Sequence, residues 1–68
     1  MTYTERRFYI VQRGDTLWSI ATRHLGSPFR WMEIWGHNRS ILKAQGSRDE
    51  HHLLPGQAII LSALEERP

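Results

Sequence analysis

The sequence predicts an α+β domain in the order strand, helix, helix, strand: a two-stranded antiparallel sheet with two short helices packed on one face. Three observations carry this. Short aromatic and β-branched runs stand near the two ends of the chain, at Phe8–Gln12 and Ala58–Leu61. Two segments between them place apolar residues at helical spacing. Gly26-Ser27-Pro28 divides those segments with a stop followed at once by a start.

The first strand ends at Arg13-Gly14-Asp15-Thr16, where Gly14 permits a tight turn and Asp15 or Thr16 can cap the helix that follows. Leu17, Ile20, Ala21 and Leu25 share one face of that helix, and Gly26 closes it. Ser27 suits the N-cap of a second helix and Pro28 its first position, where no N–H is needed. Trp31, Ile34, Trp35 and Asn38 give its inward face, and Gly36 stands near its expected end. Arg39–His52 is polar and reads as an exposed loop broken at Gly46, in which Ile41 and Leu42 can add a further helical turn. Leu54-Pro55-Gly56-Gln57 is a type II turn signal leading into the second strand. With its long separation in sequence, the strand pair is expected to be antiparallel, with the helices covering one side.

Size and composition bound the rest. A chain of 68 residues holds one domain. Its 40% hydrophobic content supplies one compact core, and the absence of cysteine removes disulfides and thiolate metal sites. The domain is expected over residues 8–62, between an N-terminal arm of residues 1–7 and a charged C-terminal tail of residues 63–68. Nine Lys and Arg against seven Asp and Glu leave a charge of +2, spread along the chain, so no nucleic-acid partner is expected. No apolar run approaches a membrane span, so no membrane partner is expected. Met1–Arg7 lacks an apolar leader core and a small-residue cleavage site, so the expectation is cytoplasmic synthesis without a signal peptide.

No catalytic arrangement emerges. His24, His37, His51 and His52 lack carboxylate or thiolate partners at zinc spacing. Glu33, Asp49 and Glu50 read as solvated acids, and neither a nucleophile–base pair nor a phosphate loop is present. The chain is expected to be no enzyme, with no cofactor and no metal. Trp31 and Trp35 read as core residues, and Asn38 as a structural side chain bonded to backbone.

Three motifs in register resemble the LysM (lysin motif) family. They are Tyr9-x-Val11-x-x-Gly14-Asp15-Thr16-Leu17-Trp18-x-Ile20-Ala21, then Trp31-x-x-Ile34-x-x-x-Asn38, then Leu54-Pro55-Gly56-Gln57-x-Ile59-x-Leu61. The resemblance covers roughly residues 9–61 and implies the βααβ LysM fold. It implies binding of N-acetylglucosamine polymers such as peptidoglycan and chitin, in a groove between the strand–helix loop and the helix–strand loop. Carried over by position, the contacts would be Gly14, Asp15, Thr16 and Leu17, with Leu53 and Leu54 opposite. The chain departs from the family pattern in a longer segment between Asn38 and Leu54, in Leu54 before Pro55, and in the His51-His52 pair.

The strand register points to a second surface. In the register that the resemblance implies, Tyr9, Val11, Ile59 and Leu61 face the helices, and alternation turns Phe8, Ile10 and Ile60 to the other side. An open apolar sheet face in a small domain marks a protein interface, unless the arm or the Ala63-Leu64 tail covers it. Trp18, off the apolar face of its helix, is expected to add a contact. The favoured expectation is therefore a structural adaptor joining other proteins of an assembly, resembling single LysM modules of phage tails and contractile injection baseplates and placed in a virion or injection particle. The alternative is a glycan-binding module for cell-wall attachment.

Overall fold

The computed structural model describes residues 8–61. The expected arm, residues 1–7, and tail, residues 63–68, lie outside the described residues. The elements run β1 (Phe8–Ile10), α1 (Leu17–Leu25), a 3-10 turn (Pro28–Arg30), α2 (Trp31–Ala44) and β2 (Ala58–Ile60). This is the expected βααβ order. The strands pair antiparallel with Phe8 opposite Ile60, Tyr9 opposite Ile59 and Ile10 opposite Ala58.

Both strands are three residues long, shorter than the apolar runs that announce them. The ladder nonetheless continues one step beyond β1. The Val11 amide donates to the Gln57 carbonyl at 2.8 Å, and the Gly56 amide donates to the Val11 carbonyl at 2.8 Å. A two-stranded ribbon of this length does not hold its shape alone in water. It is stabilised by burying one face: Val11, Ile59 and Leu61 join Leu17, Ile20 and Ala21 of α1 and Ile34 and Leu42 of α2 in one buried cluster. Tyr9, Leu25, Trp31, Trp35 and Leu53 pack around it. The opposite face is open, with Phe8 55% and Ile10 47% exposed. Ile60, opposite Phe8 and hence on the same face, is half-buried.

Helix α1 begins with a capping box. The Thr16 side chain accepts from the Ser19 amide at 3.1 Å, and the Ser19 hydroxyl accepts from the Thr16 amide at 3.1 Å. Gly26 ends it as expected, with φ 83°. Ser27, expected at the N-cap of the second helix, instead caps a 3-10 turn that opens at Pro28, accepting from the Phe29 amide at 3.2 Å, and α2 starts at Trp31 with no side-chain cap. The turn runs straight into α2, and a bidentate Arg30–Glu33 pair at 3.0 Å stiffens the joint. Arg30 also donates to the Leu25 carbonyl at 3.2 Å, which ties the end of α1 to the start of α2.

The length of α2 corrects the sequence reading. The helix passes through Gly36 and ends at Ala44, so residues 39–44 of the expected 39–52 loop are helical and the rest is loop. Gly36 is exposed, with open space where a side chain would stand. A glycine there costs about 1 kcal/mol in helix propensity, which the inward stripe Ile34, Asn38, Leu42 outweighs through burial. The helix stops at Gly46 instead. Its amide donates to the Lys43 carbonyl at 3.1 Å and the Ser47 amide to the Leu42 carbonyl at 2.9 Å, the two bonds of a Schellman ending. Gly46 has φ 109°, and a Cβ on it would stand 3.0 Å from Leu54 Cδ1. Glycine thus serves both the backbone turn and the seat of Leu54.

Asn38 joins α2 to the sheet. Its side chain is fully buried. The amide group donates to the Ile34 carbonyl at 3.0 Å and the Ile60 carbonyl at 3.1 Å, while its oxygen accepts from the Ile60 amide at 2.8 Å. The edge of β2 that β1 does not pair is thereby satisfied by a side chain. Asn38→Asp keeps the shape and the acceptor but sets a carboxylate oxygen against two carbonyl oxygens. It is expected to destabilise the domain at neutral pH by about 3 kcal/mol, as for a buried charge without a partner. Urea denaturation measures this, and a loss under about 1 kcal/mol would show that water replaces these bonds at little cost.

Candidate functional site

The site is built from two loops: residues 11–16 between β1 and α1, and residues 45–57 between α2 and β2. In the first, the Asp15 amide donates to the Gln12 carbonyl at 3.0 Å, closing a turn in which Gly14 takes φ 88°. That left-handed position admits glycine without strain and disfavours a side chain. Thr16 then caps α1. As the first residues of the helix, Leu17 and Trp18 have amides without an intrahelical acceptor, and among the described residues no other protein acceptor reaches them. These two donors are what the turn offers to a ligand carbonyl.

Two expected contacts take a different place. The Leu17 side chain is fully buried in the core, so only its backbone remains for a ligand. Asp15 faces the protein. Its carboxylate accepts from the Tyr9 hydroxyl, from the Gln12 amide at 2.8 Å and from Arg23 at 2.9 Å, and the side chain is 11% exposed. Arg23 also donates to the Tyr9 hydroxyl at 3.1 Å and lies 5.6 Å over the Tyr9 ring. Tyr9, Asp15 and Arg23 thus pin the turn to β1 on one side and α1 on the other. Sequence reasoning missed Arg23; the only signal was its position at the surface of α1, eight residues beyond Asp15.

Electrostatics follow from this geometry. Burial pushes the Asp15 carboxyl up, but the hydrogen bonds from Tyr9 and Gln12 and the Arg23 charge outweigh it and hold the group below its ordinary value. Tyr9 moves up, from burial and from the hydrogen bond it gives Asp15.

The second loop is organised around Gln57, 4% exposed. Its side-chain oxygen accepts from the Leu54 amide at 2.8 Å, and its nitrogen donates to the Ser47 hydroxyl at 2.8 Å. The Gln45 side chain accepts from the Ala58 amide at 3.0 Å. The Gln57 amide donates to the Leu54 carbonyl at 3.2 Å, closing the expected turn at Pro55-Gly56. Leu53 is half-buried against the core. Leu54 is half-buried too and lines an open groove of about 400 Å³ with Gln45, Pro55, Gly56 and Gln57. Gly14, Asp15, Thr16 and Leu17 do not line that groove. The first turn of α1 meets the second loop at an aromatic pair: Trp18, 43% exposed, and His51, with ring centroids 6.0 Å apart and planes at 62°.

Trp31 and Trp35 pack on the core as expected. Phe29, 81% exposed, and Met32, 62% exposed, add surface apolar area that sequence reasoning did not single out. Among the described residues no group of three His, Cys, Asp or Glu is placed to hold a metal, and no helix is long and apolar enough to cross a membrane.

The Asp15 network gives a pH-dependent expectation. A carboxyl held low in the folded state contributes stability above its unfolded value of about 3.9, and loses it as pH falls through the lower folded value. Asp15→Asn removes the charge and is expected to cost about 1–2 kcal/mol at pH 7, by weakening charge-assisted bonds. Urea denaturation at pH 7 and again below about pH 3 should show the gap between the two proteins narrowing in acid. An unchanged gap would mean that the carboxylate's charge does not stabilise the turn.

The LysM domain model matches residues 9–62. The uncharacterised protein YqbP of Bacillus subtilis (strain 168) is 33% identical over 55 residues, which is 75% of this chain and 25% of that protein. The chain thus spans about a quarter of the length of the curated relative it matches. No solved structure matches significantly. LysM domains are generally peptidoglycan- and N-acetylglucosamine-binding modules. The family model covers both helices, both loops and all of the two strands but Phe8, and this chain belongs to the LysM domain family.

Proposed function

We propose that the chain is a non-enzymatic module that binds N-acetylglucosamine polymers such as peptidoglycan or chitin. The observation that carries this is the Gly14–Thr16 turn, which is fixed from behind by Tyr9 and Arg23 and leaves the Leu17 and Trp18 amides without acceptors. Such donors suit an acetamido carbonyl, and a turn already held in place loses little freedom on binding. Leu53 and Leu54 supply apolar surface on the second loop. Asp15 acts through the turn's shape, and Leu17 through its backbone.

This reverses the order of preference that the sequence suggests. The adaptor reading keeps one specific support, the exposed Phe8 and Ile10 on the sheet face away from the helices, with half-buried Ile60 beside them. Trp18 is better assigned to the proposed glycan site than to that face, because its ring stands 6.0 Å, centroid to centroid, from that of His51 in the second loop. The segments that could cover the face, residues 1–7 and 63–68, lie outside the described residues. A role in a phage tail or injection baseplate is one form of the adaptor reading, and the family match favours the glycan.

A single module with a few modest contacts is expected to bind weakly, with tighter attachment coming from repetition or tethering. Titration with chitin oligosaccharides and soluble peptidoglycan fragments, followed by backbone amide NMR, tests the reading. Saturable shifts at Gly14–Leu17 and Leu53–Leu54 at about millimolar ligand are expected. A folded sample with no shifts would leave the Phe8 and Ile10 face as the functional surface.

A further inference from the structure

We propose that Trp18, braced by His51, is the sugar-stacking residue of the proposed glycan site, the one that receives the C–H face of a pyranose ring. The inference rests on the glycan reading. Three tryptophans are present, and two of them pack on the core. Trp18 does not, because the phase of α1 turns Leu17, Ile20 and Ala21 inward and leaves its neighbour outside. A large indole left 43% exposed on a helix otherwise polar on that side is surface that a ligand gains by covering.

Its position is equally informative. Trp18 stands in the first turn of α1, one residue beyond Leu17, so its ring is carried by the same turn that presents the free amides. From the opposite loop, His51 approaches to 6.0 Å at 62°. The tilt keeps the two rings from lying flat on each other, so the imidazole braces the indole without a parallel stack. His51 is held in turn by its own loop. Its amide donates to Asp49 Oδ1 at 2.9 Å, the His52 amide donates to the Asp49 carbonyl at 3.1 Å, and the Arg48 amide donates to His52 Nδ1 at 3.1 Å. The departures from the family pattern around His51 therefore build a support for an aromatic platform.

The chemistry selects its ligand. The indole face is the negative side of the ring quadrupole and attracts polarised C–H groups. A β-linked N-acetylglucosamine ring carries its substituents equatorially and presents such hydrogens on its faces. An aliphatic side chain of similar bulk supplies contact area without the quadrupole, so the platform's contribution separates from simple apolar packing.

Chitin oligosaccharide titrations of the full chain, of Trp18→Leu and of Trp18→Phe test this, with matched amide dispersion confirming that each variant is folded. The Trp18 indole N–H resonance, identified by its loss in Trp18→Phe, is expected to shift in the wild type while those of Trp31 and Trp35 stay in place. Trp18→Leu is expected to weaken binding at least about fivefold and Trp18→Phe by no more than about twofold, the scale of one aromatic contact. Wild-type binding with a stationary Trp18 indole, or Trp18→Leu binding within about twofold of wild type while Gly14–Leu17 still shift, would overturn the stacking role and leave the glycan reading standing. A wild type that shows no shift at any residue would overturn the glycan reading itself, and the stacking role with it.

Discussion

The Asn38 side chain is the contact on which the rest of this domain depends. Two strands of three residues cannot satisfy their own outer edges, and β2 has one edge against β1 and the other against α2. A helix cannot complete a strand with its backbone, because its amides and carbonyls are already paired along its axis. A carboxamide can, since it carries a donor and an acceptor at the spacing of one peptide group. Asn38 does so for Ile60 while bonding back to Ile34, and this fixes the height and rotation of α2 relative to the sheet. The apolar residues around it need only fill the space so defined.

The same device recurs where the two candidate-site loops meet the core. Gln57 holds Leu54 and Ser47, Gln45 holds Ala58, and Asp15 holds Tyr9, Gln12 and Arg23. Each is a short-range polar bond that stands where a larger domain would use more hydrophobic area. A chain of this size has little area to spare, so buried polar groups stabilise only by being fully partnered. For the proposed glycan site, the consequence is that both loops are held in place before any ligand arrives. A weak ligand then loses little affinity to ordering of the protein.

Much of this was legible in the sequence, and the exceptions have physical causes. The order of elements, a cap at Asp15 or Thr16, the Gly26 stop and the inward parity of the strands follow from local rules that tertiary context does not override, whereas Ser27 caps the 3-10 turn and not α2. The end of α2 was misplaced because Gly36 and a polar surface outweighed, on paper, a stripe at Ile34, Asn38 and Leu42 that only burial reveals. Leu17 looked like a contact because its place in the motif fixes its backbone, while its side chain answers to the core. The Asp15–Arg23 and Trp18–His51 pairs join residues that no local pattern links, so they became visible only once the loops were folded. Exposure of Phe8 and Ile10, by contrast, came directly from strand alternation.

Hydrogen exchange at the Ile60 amide tests the central claim most directly. An amide at the edge of a short surface ribbon exchanges by local fraying, at a small fraction of the global stability. If Asn38 closes that edge, the Ile60 amide should be protected as strongly as those of Ile20 and Ala21 inside α1, and should exchange only through global unfolding. Exchange of Ile60 at the rate of an open strand edge, while the α1 amides remain protected, would contradict the account and return the burden of holding the sheet to apolar packing alone.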